Sequence, residues 1–248
     1  MIGIGIVALL AAAGCFWLAV RTQRRVHAMM AAETPGVPEL LDRAAVATDL
    51  AGRPGTFRLV CEVVGTTAPA PVGLLRSELA GVECVWHAQK VERRYERRER
   101  DDEGRTRTRT YTETVSERAS EHGWALLRDG HTVGVDHGGR RPEPVERVLD
   151  RFDPADDPGR GGDRTLGYRR QEWVLRPGVG MYVLGEVDDR DGPLVVRPPQ
   201  DPTGTFVLST RTESELTGRD RRAQRLWARG GAALAVLGLV LVVAGALS

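Results

Sequence analysis

Two apolar runs at opposite ends of the chain limit what it can fold into more than any other feature. Ile2 to Val20 is a run of 19 residues without a charge, and Arg21, Arg24, Arg25 and His27 follow at once. Gly231 to Leu247 is also uncharged and is preceded by Arg219, Arg221, Arg222, Arg225 and Arg229. About 20 apolar residues in helix cross the roughly 30 Å hydrocarbon layer of a bilayer, and each run is close to that length. Trp17 and Trp227 fall where aromatic side chains settle at the membrane–water interface.

The first run has no Lys or Arg before it and charge directly after it, so it reads as a retained span rather than a cleaved signal. "AAGC" at Ala12 to Cys15 has the outline of a lipoprotein cleavage box, but Phe16, Trp17 and Leu18 stand where a polar tether belongs. Arginines flank both runs on the side facing the middle of the chain, and neither tail carries Lys or Arg. The positive-inside rule then places the middle in the cytoplasm and both termini outside. The expected layout is a transmembrane helix at 2–20, a cytoplasmic membrane-proximal domain at 36–226 and a second transmembrane helix at 227–247, a multi-pass arrangement in the cell membrane.

Over 248 residues the formal charge is +1, which gives no global bias toward a polyanion. Lys90 is the only lysine. Arg in place of Lys, with abundant Ala, Gly and Pro, has the look of GC-rich codon usage and points to a bacterial source. The three cysteines, Cys15, Cys61 and Cys84, are too few for a disulfide framework or a structural zinc module.

Between the runs, "PELLDRAAVATDL" at Pro38 to Leu50 has helical spacing with Pro at its start. Phe57 to Gly65 alternates as a strand, with Cys61 on its apolar side, and Val82 to Val91 reads as another. "WALLRDG" and "HTVGVD" are short strands around an Asp-Gly turn. "VERVLDRF", Val145 to Phe152, reads as a short helix, and Asp153 to Asp163 as a polar loop. "YRRQEWVLRPG", "GMYVLGEV", "PLVVRP" and "TFVLST" read as strands, and Thr212 to Trp227 as a polar helix entering the second run. The fold class is α+β: a β-rich membrane-proximal module between two single transmembrane helices.

The stretch from Lys90 to Glu121 carries ten basic and nine acidic residues. A nucleic-acid arm would be one-signed, because its affinity comes from releasing counterions from phosphates. Disorder fits the charge density but not the pattern, since Thr106, Thr108, Thr110, Thr112 and Thr114 recur with a strand's period of two. Asp102 to Gly104 supplies a three-residue turn with Gly at the left-handed position. Closing there pairs Asp101 with Arg105, Glu99 with Arg107, Tyr95 with Tyr111, Arg93 with Glu113 and Val91 with Val115. The expectation is a long, charged, two-stranded hairpin reaching beyond the core, its base packed through Val91, Tyr95, Tyr111 and Val115. The face bearing Val91, Arg93, Tyr95, Arg97, Glu99, Arg107, Arg109, Tyr111, Glu113 and Val115 is the candidate interaction ribbon. Arg and Glu residues lie against the threonine ladder on the other face.

"LAGVECVWHAQKVE", the charged hairpin, "WALLRDGHTVGVD", "EWVLRPGVGMYVLGEV", "LVVRPPQDPTGTFVLST" and a polar helix ending "RLW" before the second run together resemble the GIDE-type membrane-anchored E3 ubiquitin ligases of mitochondria. The resemblance covers both spans and implies a "beside a membrane" (BAM) domain between them. In that family a RING finger follows the second span and recruits the ubiquitin-charged E2. A RING holds two zinc ions with about eight Cys/His ligands. Residues 1–248 contain three scattered cysteines and no C-x2-C pair, so the expectation is homology without the ligase chemistry, and a non-enzyme is favoured. The family's module faces an intermembrane space, whereas the arginine flanks here point to the cytoplasm.

Other chemistry is weaker. His122, His131 and His137 with Asp129 and Asp136 have no metal-fixing spacing and read as surface or turn residues. Cys61 and Cys84 read as small core residues. Ser77 lacks a G-x-S-x-G elbow. Glu172 and Glu186 read as ladder residues before paired carboxylates, and "GRGG" at Gly159 to Gly162 lacks the strand and Lys-Ser/Thr of a phosphate loop. No catalytic residue, metal or cofactor is expected. The expected function is binding of a protein partner at the membrane surface, with no nucleic acid and no small-molecule substrate. The alternatives are an E3-ubiquitin-transferase-like component acting with a catalytic part on another chain, and an envelope stress sensor or assembly scaffold.

Overall fold

The computed structural model describes residues 2–100, 104–156 and 163–246. Helix α1 (Ile2–Ala31) and helix α3 (Glu213–Ala246) carry the two apolar runs. Both are long and apolar enough to cross a membrane, and they pack on each other. The buried positions of α1 are Gly5, Ala12, Ala19, Val26 and Met29; the first three are small and seven residues apart, the spacing of a close helix–helix seam. Gly231 and Gly238 answer from α3, again seven apart. A Cβ added at Gly238 would lie 2.9 Å from the Gly5 carbonyl oxygen, so the backbones meet at a distance only glycine allows.

Helix α2 (Val37–Ala51) begins with Pro38 in its first turn and ends at Gly52 in the left-handed conformation. It buries Val37, Leu40 and Ala44. The strands follow as β1 (Arg58–Ala68), β2 (Leu75–Arg76), β3 (Glu83–Cys84), β4 (Trp86–Arg100), β5 (Thr106–Ala119), β6 (Trp124–Arg128), β7 (His131–Val135), β8 (Glu146–Pro154), β9 (Asp163–Leu175), β10 (Gly180–Asp188), β11 (Val195–Arg197) and β12 (Val207–Ser209).

One sheet closes on itself: β1 pairs with β6, β6 with β7, β7 with β11, β11 with β10 and β10 with β1 again, while β12 adds to β10. Closure removes the exposed edges that a small open sheet would carry. Cys61, Val63, Leu126, Val133, Met181, Val183 and Val196 fill the core, with Leu40 of α2 packed on it. Strand β10 is buried on both faces, because Tyr182 and Leu184 on its outer face pack against Val26 and Met29 near the end of α1. That contact fixes the first span to the module.

The second sheet has the order β5-β4-β9-β8. It corrects three expectations. The charged hairpin forms with the expected pairs Glu99–Arg107, Tyr95–Tyr111 and Arg93–Glu113, but β4 has β9 on its other side as far as Arg97–Asp163. The hairpin is therefore the outer half of a four-stranded sheet, and only its last residues stand as two strands. A β-bulge between Val91 and Glu92 moves Val91 opposite Ser116, so the Val91–Val115 pair does not form and Val115 is left 49% exposed. Residues 145–152 form no helix, because β8 runs through Glu146–Pro154. Val145, Val148, Leu149 and Phe152 have helical spacing, but a bulge between Arg147 and Leu149 absorbs the odd residue and β9 offers a free edge to pair. The Asp101–Arg105 pair and Gly159 to Gly162 lie outside the described residues.

Candidate interaction surface

The candidate ribbon lies on one face of β4 and β5 and is built around a pair of rings. Tyr95 and Tyr111 stack with centroids 5.7 Å apart and planes at 28°. Arg93 lies over the Tyr95 ring at 4.7 Å, and Arg97 reaches both rings at 5.5 and 5.8 Å. The guanidiniums thus cover the aromatic pair on both sides along the strand, a favourable use of the ring quadrupole. Tyr95 is buried, Tyr111 and Val91 are half-buried, and Val115 is exposed.

Each of these charges has a partner inside the sheet. Arg93 donates to Glu113 at 3.0 Å and to Thr165 at 2.8 Å. Arg97 makes a forked pair with Asp163 at 2.8 and 2.7 Å, which holds that carboxyl below its ordinary range. Glu99 accepts the Tyr111 hydroxyl at 2.6 Å and lies 3.7 Å from Arg109. Its hydrogen bond raises the Tyr111 phenol. Arg107 stands opposite Glu99 in the register. The structure therefore brings nine of the ten ribbon residues onto one ordered face, with Val115 displaced by the bulge. Exposed ion pairs of this kind contribute at most about 1 kcal/mol each, so they set register more than stability.

The other face pairs Glu92, Arg94, Glu96, Arg98 and Arg100 with Thr114, Thr112, Thr110, Thr108 and Thr106. Strand β5 is an outer strand of the sheet, and all its residues except Tyr111 and Ser116 are exposed. A row of backbone N–H and C=O groups is thus available over a long strand, the geometry that accepts an added strand. On the threonine face, Phe152 of β8 is 44% exposed and lines a shallow recess of about 340 Å³ with Arg94, Thr112 and Arg169. Sequence reasoning missed Phe152 because it placed that segment on a helix; the signal available was the alternation from Asp150 to Phe152 opposite the Arg169 to Gln171 run.

The other candidates are scattered. Among the described residues no group of three or more His, Cys, Asp or Glu is arranged to hold a metal. His131 contacts the Asp129 carbonyl at 2.9 Å, Asp136 caps Gly138, and His137 is buried in a stack on Trp124. His122 lies at the foot of β5 beside Glu117 and Glu121. Cys61 and Cys84 are buried free thiols; burial pushes Cys61 up to about 12 and raises Cys84 as well, so neither is poised as a nucleophile. Ser77 accepts the Val82 N–H at 3.0 Å. Glu172 accepts the Leu79 and Ala80 N–H groups, while Glu186 sits on the other sheet beside Arg58 and Arg190; the two carboxylates are not paired.

A β-rich module held between two packed, membrane-length helices defines a class of bilayer-anchored domain. The chain belongs to the GIDE family: the family model, described as E3 Ubiquitin ligase, matches residues 92–244, from β4 through α3. Helix α2 and β1 precede the matched residues, yet both are integral to the same core. The chain is thus a membrane protein of the E3-like family. No curated protein and no solved structure gives a match.

Proposed function

We propose that this chain presents its GIDE module to a protein partner at the membrane surface, with the outer edge of β5 as the docking strand. The observation that carries the reading is the combination of an exposed outer strand, Thr106–Ala119, with an internally satisfied charge ladder behind it. The strand is pre-ordered, so a partner segment adding to it bears little of the ordering cost. The ribbon residues Arg93, Tyr95, Arg97, Glu99, Arg107, Arg109, Tyr111 and Glu113 hold the strand in register, and Phe152, on the opposite edge strand β8, lines a recess that reaches Thr112 across the threonine face. The arginine flanks favour a cytoplasmic module with both termini outside.

The test is co-purification from native membranes of wild type against Thr108→Lys/Thr110→Lys/Thr112→Lys. Lysines on an outer strand oppose strand addition without touching the Tyr95–Tyr111 face. Loss of the same partners in the variant is expected; identical partner sets would remove β5 as the docking strand. Deleting Val91 to Val115 is unsuitable, since it removes most of the interior strand β4.

Family membership favours a second reading of the same surface. Here the module is the membrane-side part of an E3-like assembly whose E2-recruiting part lies outside residues 1–248. Recovery of a RING or ubiquitin-like protein among the β5-dependent partners would support it, and partners with no such component would oppose it.

A further inference from the structure

The charge ladder of the second sheet pairs many of its arginines, as in Arg93–Glu113, Arg97–Asp163, Arg169–Asp150 and Arg176–Glu146. The opposite holds where the module meets the spans. There α1, α3 and the loops around β12 enclose a crevice of two adjoining cavities, about 250 and 590 Å³. Seven arginines line it against two carboxylates, Glu143 and Asp220. Asp220 is engaged by Arg25 at 3.4 Å. Among the described residues no carboxylate pairs with Arg21, Arg24, Arg140, Arg211 or Arg219.

Four structural elements contribute these charges. Arg21 and Arg24 follow the first apolar run, Arg219 precedes the second, Arg211 follows β12, and Arg140 comes from the β7–β8 connection. Arg140 is held in place by donating to the Phe206 carbonyl at 3.1 Å and lying over the Phe206 ring at 5.3 Å. Leu18, still within the first apolar run, lines the larger cavity. The crevice therefore reaches from the arginine layer to the level where hydrocarbon begins.

We propose that this crevice binds the phosphate of an anionic phospholipid, with the headgroup among Arg24, Arg140 and Arg219 and the acyl chains along α1 beside Leu18. Unpaired guanidiniums in a concave site recognise phosphate through forked, charge-assisted hydrogen bonds. The bilayer is favoured over a free anion as the source because Leu18, a residue of the first apolar run, lines the larger cavity together with Arg21, Arg24 and Arg140. Occupancy would clamp the module at a fixed height over the leaflet, since Arg140 belongs to the module and Arg24 to the span. This inference does not rest on a partner at β5, and it holds for either leaflet.

The test uses the full chain in phosphatidylcholine nanodiscs containing a minor fraction of phosphatidylglycerol, with lipids retained by the protein read by native mass spectrometry. Wild type is expected to retain phosphatidylglycerol preferentially. Arg140→Gln and Arg24→Gln should each lower that preference by about fivefold. Among the described residues Arg24 makes no ion pair, so its variant reports on the site even where Arg140→Gln disturbs the Phe206 contact. Arg151→Gln, which removes one charge on β8 far from the crevice, should leave the preference unchanged. Excess inorganic phosphate should leave the retained lipid in place. Equal retention of the two lipids by wild type would overturn the proposal. So would unchanged preference in both crevice variants, an equal drop in Arg151→Gln, or displacement of the lipid by inorganic phosphate, which would assign a free-anion site.

Discussion

Tyr95 on β4 and Tyr111 on β5 stack face to face at 5.7 Å, one ring buried and the other half-exposed, beneath two guanidiniums. This pair contributes more to the hairpin's stability than the surrounding ion pairs, which act mainly on its register. Tyr95→Ala should destabilise the module by about 2–4 kcal/mol, through lost burial and a lost aromatic pair. Asp163→Asn, which breaks the exposed Arg97 fork, should cost at most about 1 kcal/mol. Denaturant unfolding in detergent measures both, and a Tyr95/Tyr111 double-mutant cycle should return a coupling of about 0.5–1.5 kcal/mol. Amide exchange across Thr106 to Thr114 should quicken in Tyr111→Ala.

Glu62 gives the module a pH dependence of its own. It is 1% exposed, accepts from Thr34 at 3.0 Å and from the Tyr182 hydroxyl, and lies where the end of α1 meets β1. Burial raises its carboxyl above the ordinary range, with the two hydrogen bonds offsetting only part of the shift and Glu213 adding to it. A carboxyl that holds its proton more tightly in the folded state favours folding at acid pH. That contribution declines as pH rises from the ordinary value of about 4.3 through the folded-state value. Glu62→Gln stays neutral throughout, so its stability relative to wild type should improve as pH rises over that window. Tyr182→Phe removes a donor to the carboxylate and should cost more at neutral than at acid pH. Thermal melts of the three proteins at two pH values read the trend.

The α1–α3 seam predicts a cross-link. A Cβ built at Gly231 lies 3.2 Å from the Cys15 Cβ, a few tenths of an ångström inside the disulfide range of about 3.5–4.5 Å. Gly231→Cys should therefore oxidise with Cys15 into an intrachain disulfide, seen as faster migration without reductant and a loss of two hydrogens in the intact mass. Adding Gly238→Leu should suppress it, because that site already meets the Gly5 carbonyl. An interchain dimer in place of the intrachain bond would contradict the packing.

Much of this was legible in the chain, for physical reasons that differ by element. The hairpin register was readable because its determinants are local: a glycine turn, alternating threonines, and two tyrosines equidistant from the turn. Its second neighbour was not, since β9 lies over sixty residues away and announces itself only through pairs such as Arg97–Asp163. Bulges hid two further facts. One shifted Val91 off Val115; the other let a helically spaced segment, Val145 to Phe152, pair as β8. The arginine flanks were visible as topology signals, but not the crevice, because Arg140 joins them only through the fold.

Lys90, the sole lysine, is a built-in reporter of orientation. Its side chain is 30% exposed beside Glu92 on β4. With a cytoplasmic module, a membrane-impermeant amine reagent should label Lys90 in inverted vesicles and not in intact cells, while the N-terminal amine shows the reverse. Peptide mapping separates the two. Labelling of Lys90 in intact cells would place the module outside.

The most direct test of the docking strand is photo-crosslinking from β5 in native membranes. A benzophenone side chain at Thr108 or Thr112 should form an adduct of defined protein mass, and Thr110→Lys in the same chain should abolish it. Adducts that persist undiminished with Thr110→Lys, or the absence of any protein adduct from either position, would contradict a partner bound along β5.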